Sequence, residues 1–179
     1  LAAYAANFTD GGALRADSCG ALVRVLDCHV SDCNRGLRVG DSVKGGLISG
    51  CFVERTAQSA IYSSASTYTG ASGNHNFTIS GNTVISAGNN SILAIGGKDN
   101  TIADNVIKGG WNAPIQLWSC CNCTVSDNKM EKSNFSDWNG QAVLGDAWCG
   151  GVVADGDSNI PVSATYQCRI TGNVITEPS

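Results

Sequence analysis

Carboxylates and aromatic rings crowd the last third of this chain. Asp146, Asp155 and Asp157 lie in one stretch with Trp148, and Trp138 comes shortly before it. Two carboxyls held about 5–9.5 Å apart can cleave a glycosidic bond, one as acid and the other as base or nucleophile. The three aspartates are therefore candidate catalytic residues, and Glu131 with Asp137 forms a second candidate pair. Aromatic rings pack on the apolar faces of sugars while polar groups bond hydroxyls. Tyr68, Trp118, Trp138 and Trp148, with Lys98 and Asp99, are accordingly candidate carbohydrate-binding residues. Each has a plainer reading: Asp155-Gly-Asp157-Ser158 also spells an ordinary turn, Trp138 or Trp148 can cover a core, and the acids can hold a cation.

Other chemistries are supplied less well. Nine cysteines, an odd number, leave at least one without a partner inside the chain. Cys120, Cys121 and Cys123 cluster, but a metal site wants two Cys pairs or Cys with His at suitable spacing, and His29 and His75 are both remote in sequence. The expectation is buried thiols acting as small hydrophobes, made in a reducing cytosol, with neither metal nor cofactor. A net charge of −4 offers no field for nucleic acid or an anionic membrane surface, and no apolar run approaches the ~20 residues of a membrane helix. The 179 residues suit one domain. Glycine (22 residues), Asn, Ser and Thr supply over a third of them, which suits short strands and tight turns. The chain opens at Leu1 and closes at Ser179, and reads as a piece of something longer.

What must position the candidate residues is a repeat. The phrase apolar, any, Gly or Asp, Asn or Cys, any, apolar occurs six times: Val25–Val30, Ile48–Val53, Ile79–Val84, Ile102–Ile107, Val125–Met130 and Ile170–Ile175. Counted at the Asn/Cys position, the intervals are 23, 31, 23, 23 and 45 residues. A second apolar segment follows at Leu37–Val39, Ala60–Tyr62, Ile92–Ile95, Ile115–Leu117 and Ala142–Leu144, and no stretch has helical periodicity. Short strands and turns at this period predict a parallel β-solenoid in which each repeat is a coil, stacked ~4.8 Å from the next. Asn82, Asn105 and Asn128 then form a structural ladder. Cys28 stacks on Cys51, and Cys123 on Cys168, within the Cα range that a disulfide tolerates, although stacked reduced thiols are favoured.

Departures from the coil length place insertions at about 62–74, 133–140 and 145–164. The first and last leave from equivalent corners, with two short connections, Gly96–Asn100 and Trp118–Asn122, between them. This predicts a groove for an extended sugar chain, with Tyr68 on one wall, Asp146, Trp148, Asp155 and Asp157 on the other, and Lys98, Asp99 and Trp118 on the floor.

The phrases Ile79-Ser-Gly81-Asn82-Thr-Val84 and Ile102-Ala-Asp104-Asn105-Val-Ile107 resemble the right-handed parallel β-helix superfamily of pectate lyases, polygalacturonases, alginate epimerases and bacteriophage tailspikes. The resemblance covers residues 18–179, leaving 1–17 as a lead-in or cap. It implies an all-β, single-stranded, right-handed parallel β-helix of about six coils. The chain lacks the Asp-Pro-Asp-His cluster of the epimerases and the Asn-Thr-Asp and Gly-His-Gly phrases of the polygalacturonases. What remains most similar is a tailspike or tail-fibre domain: a homotrimer, made in host cytoplasm and carried on the virion tail, that binds a bacterial surface polysaccharide and in some cases depolymerises it. A free-standing, secreted polysaccharide lyase or hydrolase and an inert structural shaft are the alternatives.

Overall fold

A computed structural model describes residues 12–17, 19–20, 22–40, 43–64, 74–110, 112–131, 135–136, 143–144, 152–155, 165 and 167–176. Each coil holds three short strands. Coil one contains β1 (Gly12–Asp17), β2 (Val23–Leu26) and β3 (His29–Cys33), and coil two β4 (Arg35–Gly40), β5 (Lys44–Ser49) and β6 (Phe52–Thr56). Coil three contains β7 (Ile61–Ser64), β8 (His75–Ser80) and β9 (Thr83–Ala87), and coil four β10 (Ile92–Ile95), β11 (Thr101–Ala103) and β12 (Val106–Gly110). Coil five contains β13 (Ile115–Trp118), β14 (Thr124–Ser126) and β15 (Lys129–Glu131). After the two-residue strands β16 (Phe135–Ser136) and β17 (Val143–Leu144), coil six contains β18 (Val152–Asp155), β19 (Arg169–Thr171) and β20 (Val174–Thr176). Strands from successive coils pair in parallel, so the chain winds through three stacked sheets in turn. This is the expected parallel β-helix with six coils.

Three aliphatic ladders explain the apolar positions of the repeat. Ile48, Ile79, Ile102, Val125 and Ile170 are successive partners in the second sheet. Val53, Val84, Ile107, Met130 and Ile175 are successive partners in the third. Leu37, Ile61, Ile92, Ile115 and Val152 close the triangle from the first sheet. In the middle coils these side chains are fully buried, each worth ~1.5–3 kcal/mol in apolar area removed from water. In coil six Ile170 and Ile175 are 47% and 49% exposed, with Val125 and Met130 stacked on one side of them.

The third and fourth positions of the phrase make the bend from second to third sheet. Asp27, Gly50, Gly81, Asp104, Asp127 and Gly172 all have φ between 52° and 67°, a left-handed conformation that Gly adopts freely and Asp tolerates. The next residue turns inward. Each ladder Asn accepts, on its Oδ1, the backbone N–H of its counterpart one coil earlier: Cys51 to Asn82, Asn82 to Asn105, Asn105 to Asn128 and Asn128 to Asn173, at 3.0–3.1 Å. The amide groups also bond one another at 2.8–3.0 Å.

One segment of the repeat falls elsewhere than its sequence suggests. Val143–Leu144 does not continue the first sheet; it pairs antiparallel with Phe135–Ser136, which pairs through Phe135 with Gly110. The first-sheet strand of coil six is Val152–Asp155, aligned on Ile115–Trp118. Both segments are short and apolar, and the register with Ile115 decides between them.

Candidate functional site

Lys98, Asp99 and Trp118 lie at the corner between the first and second sheets. β7 ends at Ser64 and β8 begins at His75, whereas β10 ends at Ile95 and β11 begins at Thr101. β13 ends at Trp118 and β14 begins at Thr124, while β18 ends at Asp155 and β19 begins at Arg169. Long connections thus flank two short ones. The short ones are tightly built: Gly96, Asp99, Ser119 and Asn122 all have positive φ, and Lys98 bridges in parallel to His75 on one side and Cys121 on the other. The Lys98 side chain is exposed and Trp118 is half-buried. Asn122 donates through Nδ2 to the Asp99 carboxylate one coil away, so Asp99 is tied into the turn stack. Trp118 has Ile95 and Asp155 as its neighbours in adjacent coils. Of the candidate residues, Lys98, Asp99, Trp118 and the backbone of Asp155 come together on three consecutive coils. Tyr68, Trp138, Asp146, Trp148 and Asp157 lie outside the described residues, as does Asp137. Glu131 sits in β15, beside Lys108 and Thr176 in the third sheet, away from this corner.

The sequence reading passed over two polar clusters. On the third sheet Arg55 grips Asp32 with two bonds of 2.8 and 2.7 Å and Glu54 with a third of 2.5 Å. His29 Nε2 lies 3.1 Å from the Glu54 carboxylate and packs edge-on against Phe52. Arg55 holds the Asp32 carboxyl below its ordinary range, and Asp32 in turn raises Arg55. On the first sheet the guanidinium carbons of Arg35 and Arg38 stand 4.7 and 5.6 Å from the centre of the Tyr62 ring. The signal that could have found the first cluster is the repeat itself, since Asp32 and Arg55 are one coil apart.

Cysteine use follows the ladders. Cys51 donates to Val25 O at 3.7 Å, as Asn105 donates to Ile79 O, so the thiol stands in for a ladder amide. In the first corner Cys120 donates to Ala94 O at 3.3 Å and Cys123 to Cys121 O at 3.3 Å. Contact with Cys120 and then burial raise the Cys123 thiol, while burial raises Cys168 and Cys51 and pushes Cys33 up to about 11.

Stacked parallel coils with longer connections at one corner define a parallel β-helix protein of the pectate-lyase-like type. Over residues 18–177 the sequence matches the family described as Periplasmic copper-binding protein (NosD). The chain belongs to that family. No curated protein and no solved structure matches it. The family is a periplasmic one, which overturns the virion-tail location implied by the resemblance to tailspikes; the shared coil phrase encodes turns and core, and is silent on where a protein works.

The family description also names copper. Thiolate sulfur suits cuprous ion, and Cys120, Cys123 and Cys168 line one corner. Yet among the described residues no group of three or more His, Cys, Asp or Glu side chains could hold a metal ion, and the thiols are hydrogen-bonded to main-chain carbonyls. The described residues do not fit a copper centre.

Proposed function

We propose that this chain is the polysaccharide-binding β-helix domain of an exported protein, and that an extended glycan lies along the corner between the first and second sheets. The observation that carries the reading is the ledge of Lys98, Asp99 and Trp118 on adjacent coils, flanked by the two longer connections at 65–74 and 156–168. An aromatic ring, a cation and a carboxylate spread over coils ~4.8 Å apart suit a linear chain of sugars better than a compact ligand. Tyr68 and Trp148 would add stacking surfaces.

A depolymerase is the second reading, favoured by the alignment of Asp155 on Trp118. In it Asp155 and either Asp146 or Asp157 supply the two carboxyls. Affinity electrophoresis against a panel of neutral and acidic bacterial polysaccharides tests both. Retention by at least one glycan, abolished by Trp118→Ala, supports binding at the corner; no retention by any glycan refutes it. Shortening of the retained glycan, lost in Asp155→Asn with retention intact, identifies the enzyme.

A further inference from the structure

Coils one and six each carry a cysteine whose register partner in the neighbouring coil is also a cysteine. Leu26 pairs with Ser49 and His29 with Phe52, which sets Cys28 opposite Cys51. Thr124 pairs with Arg169, which sets Cys123 opposite Cys168. Strand neighbours in a sheet stand ~4.8 Å apart, inside the Cα range of a disulfide. In both pairs each thiol is close enough to its partner to influence its ionisation. All four are free thiols.

We infer that Cys28–Cys51 and Cys123–Cys168 are oxidation sites that form two inter-coil disulfides, one fastening coil one to coil two and the other coil five to coil six. The inference rests on the export in the proposed function only for its oxidant, a disulfide such as oxidised glutathione or the cystine of a dithiol oxidase. In each pair one sulfur is reachable and the other enclosed: Cys28 and Cys168 are partly exposed, Cys51 and Cys123 buried. The thiolate of Cys28 attacks the oxidant's disulfide and releases one glutathione thiolate, leaving a mixed disulfide. The thiolate of Cys51 then attacks the Cys28 sulfur and expels the second glutathione. The two cysteine protons end on the two glutathione thiols, and the two electrons reduce the oxidant. Cys168 and Cys123 follow the same steps. Cys120 touches Cys123 but is itself fully buried, so the mixed disulfide starts at Cys168 and passes to its register partner.

The position of the pairs gives the bonds a purpose. Among the described residues coils one and six each pair with a single neighbouring coil, and Ile170 and Ile175, stacked on the buried Val125 and Met130, are half exposed. A bond to the next coil removes the open, unstacked states of that coil from the unfolded ensemble.

The test uses the full chain, purified reduced, then equilibrated in a glutathione redox buffer at pH 8, quenched in acid, unfolded and alkylated. Expected are a mass lower by ~4 Da for two bonds before alkylation and four fewer alkyl groups after it, peptides joined as Cys28–Cys51 and Cys123–Cys168, and a thermal midpoint several degrees above that of the reduced chain. Cys28→Ala and Cys168→Ala, at the partly exposed positions, should each remove one linked peptide and part of the redox-dependent rise, with little change in the reduced midpoint. Alkylation of every cysteine after oxidation, or linkage of Cys120 with Cys123, overturns the inference. Glycan retention measured on the same oxidised and reduced samples reports separately on the proposed function.

Discussion

Replacing Asn105 by Ala tests what holds coil to coil. Asn105 is fully buried at the centre of its ladder. Its Oδ1 accepts Asn82 N–H at 3.0 Å and Asn82 Nδ2 at 3.0 Å, and its Nδ2 donates to Ile79 O at 3.1 Å and to Asn128 Oδ1 at 2.8 Å. Asn128 Oδ1 keeps the backbone N–H of residue 105, and Asn82 Nδ2 keeps Ile48 O. The Asn82 backbone N–H loses the acceptor it has here, a cost of ~1–3 kcal/mol for a buried unsatisfied donor. The two lost Nδ2 bonds add ~1 kcal/mol each. The sum is about 3–5 kcal/mol. Asn173→Ala removes the same kinds of bond at the end of the ladder, to Asn128 and Val125 O, but Asn173 is only half-buried and water replaces it, so the cost is ~0.5–1.5 kcal/mol. Urea unfolding followed by far-ultraviolet circular dichroism measures both variants. Equal losses at the two positions, or a loss below ~1 kcal/mol at Asn105, would refute the ladder as the main polar tie between coils.

Three further outcomes are expected. The Arg55 pairing lowers Asp32, so its contribution to stability is complete above the ordinary carboxylate value and is lost as pH falls through the lower folded value; Arg55→Met should flatten the acid limb of a stability–pH curve, and an unchanged limb would show the cluster to be inert. With its thiol pushed up to about 11 from 9.0, Cys33 should react with iodoacetamide at pH 8 ~100-fold more slowly than the same cysteine in the unfolded chain, a ratio read by quantitative peptide mass spectrometry. Gly36→Ala would set its Cβ 2.3 Å from Ala60 O and 2.6 Å from Val53 Cγ1, costing ~1–3 kcal/mol or more; Gly81→Ala, with only Ser49 Oγ at 3.8 Å but a φ of +65°, should cost ~1–2 kcal/mol, and thermal melts that reverse this order would sink the packing argument.

The coil architecture was legible because every position in the repeated phrase answers to one physical demand. Ile79 and Val84 face inward from two sheets, Gly81 takes the left-handed bend, and Asn82 ties the bend to the next coil. Ala142–Leu144 was misread because a short apolar segment carries no mark of its pairing partner; only the stacking of Val152 on Ile115 tells parallel coil from antiparallel hairpin. At the candidate site Lys98 and Asp99 lie in the short connection between β10 and β11, and Trp118 closes β13 one coil on. The Asp32–Arg55 pair was overlooked because its residues are distant in the chain and adjacent only once the repeats are overlaid. Location was lost for a different reason: turns and core look alike in any compartment.

The exposed Ile170 and Ile175, set against the buried Val125 and Met130 they stack on, make each coil's interior the gift of its successor. The molecule is thus closer to a linear polymer than to a droplet, with the same contacts repeated from unit to unit. Length becomes a quantity that can change in whole steps. Excising 83–105 would bring Asn82 against Asn128, and Val53 one coil from Ile107, with each inward side chain still meeting its own kind; the ladders already run unbroken across connections of different length, whereas removing one residue from within a strand would turn the rest of that strand to the opposite face. Such a chain can grow or shrink by duplication of whole coils without redesigning its core.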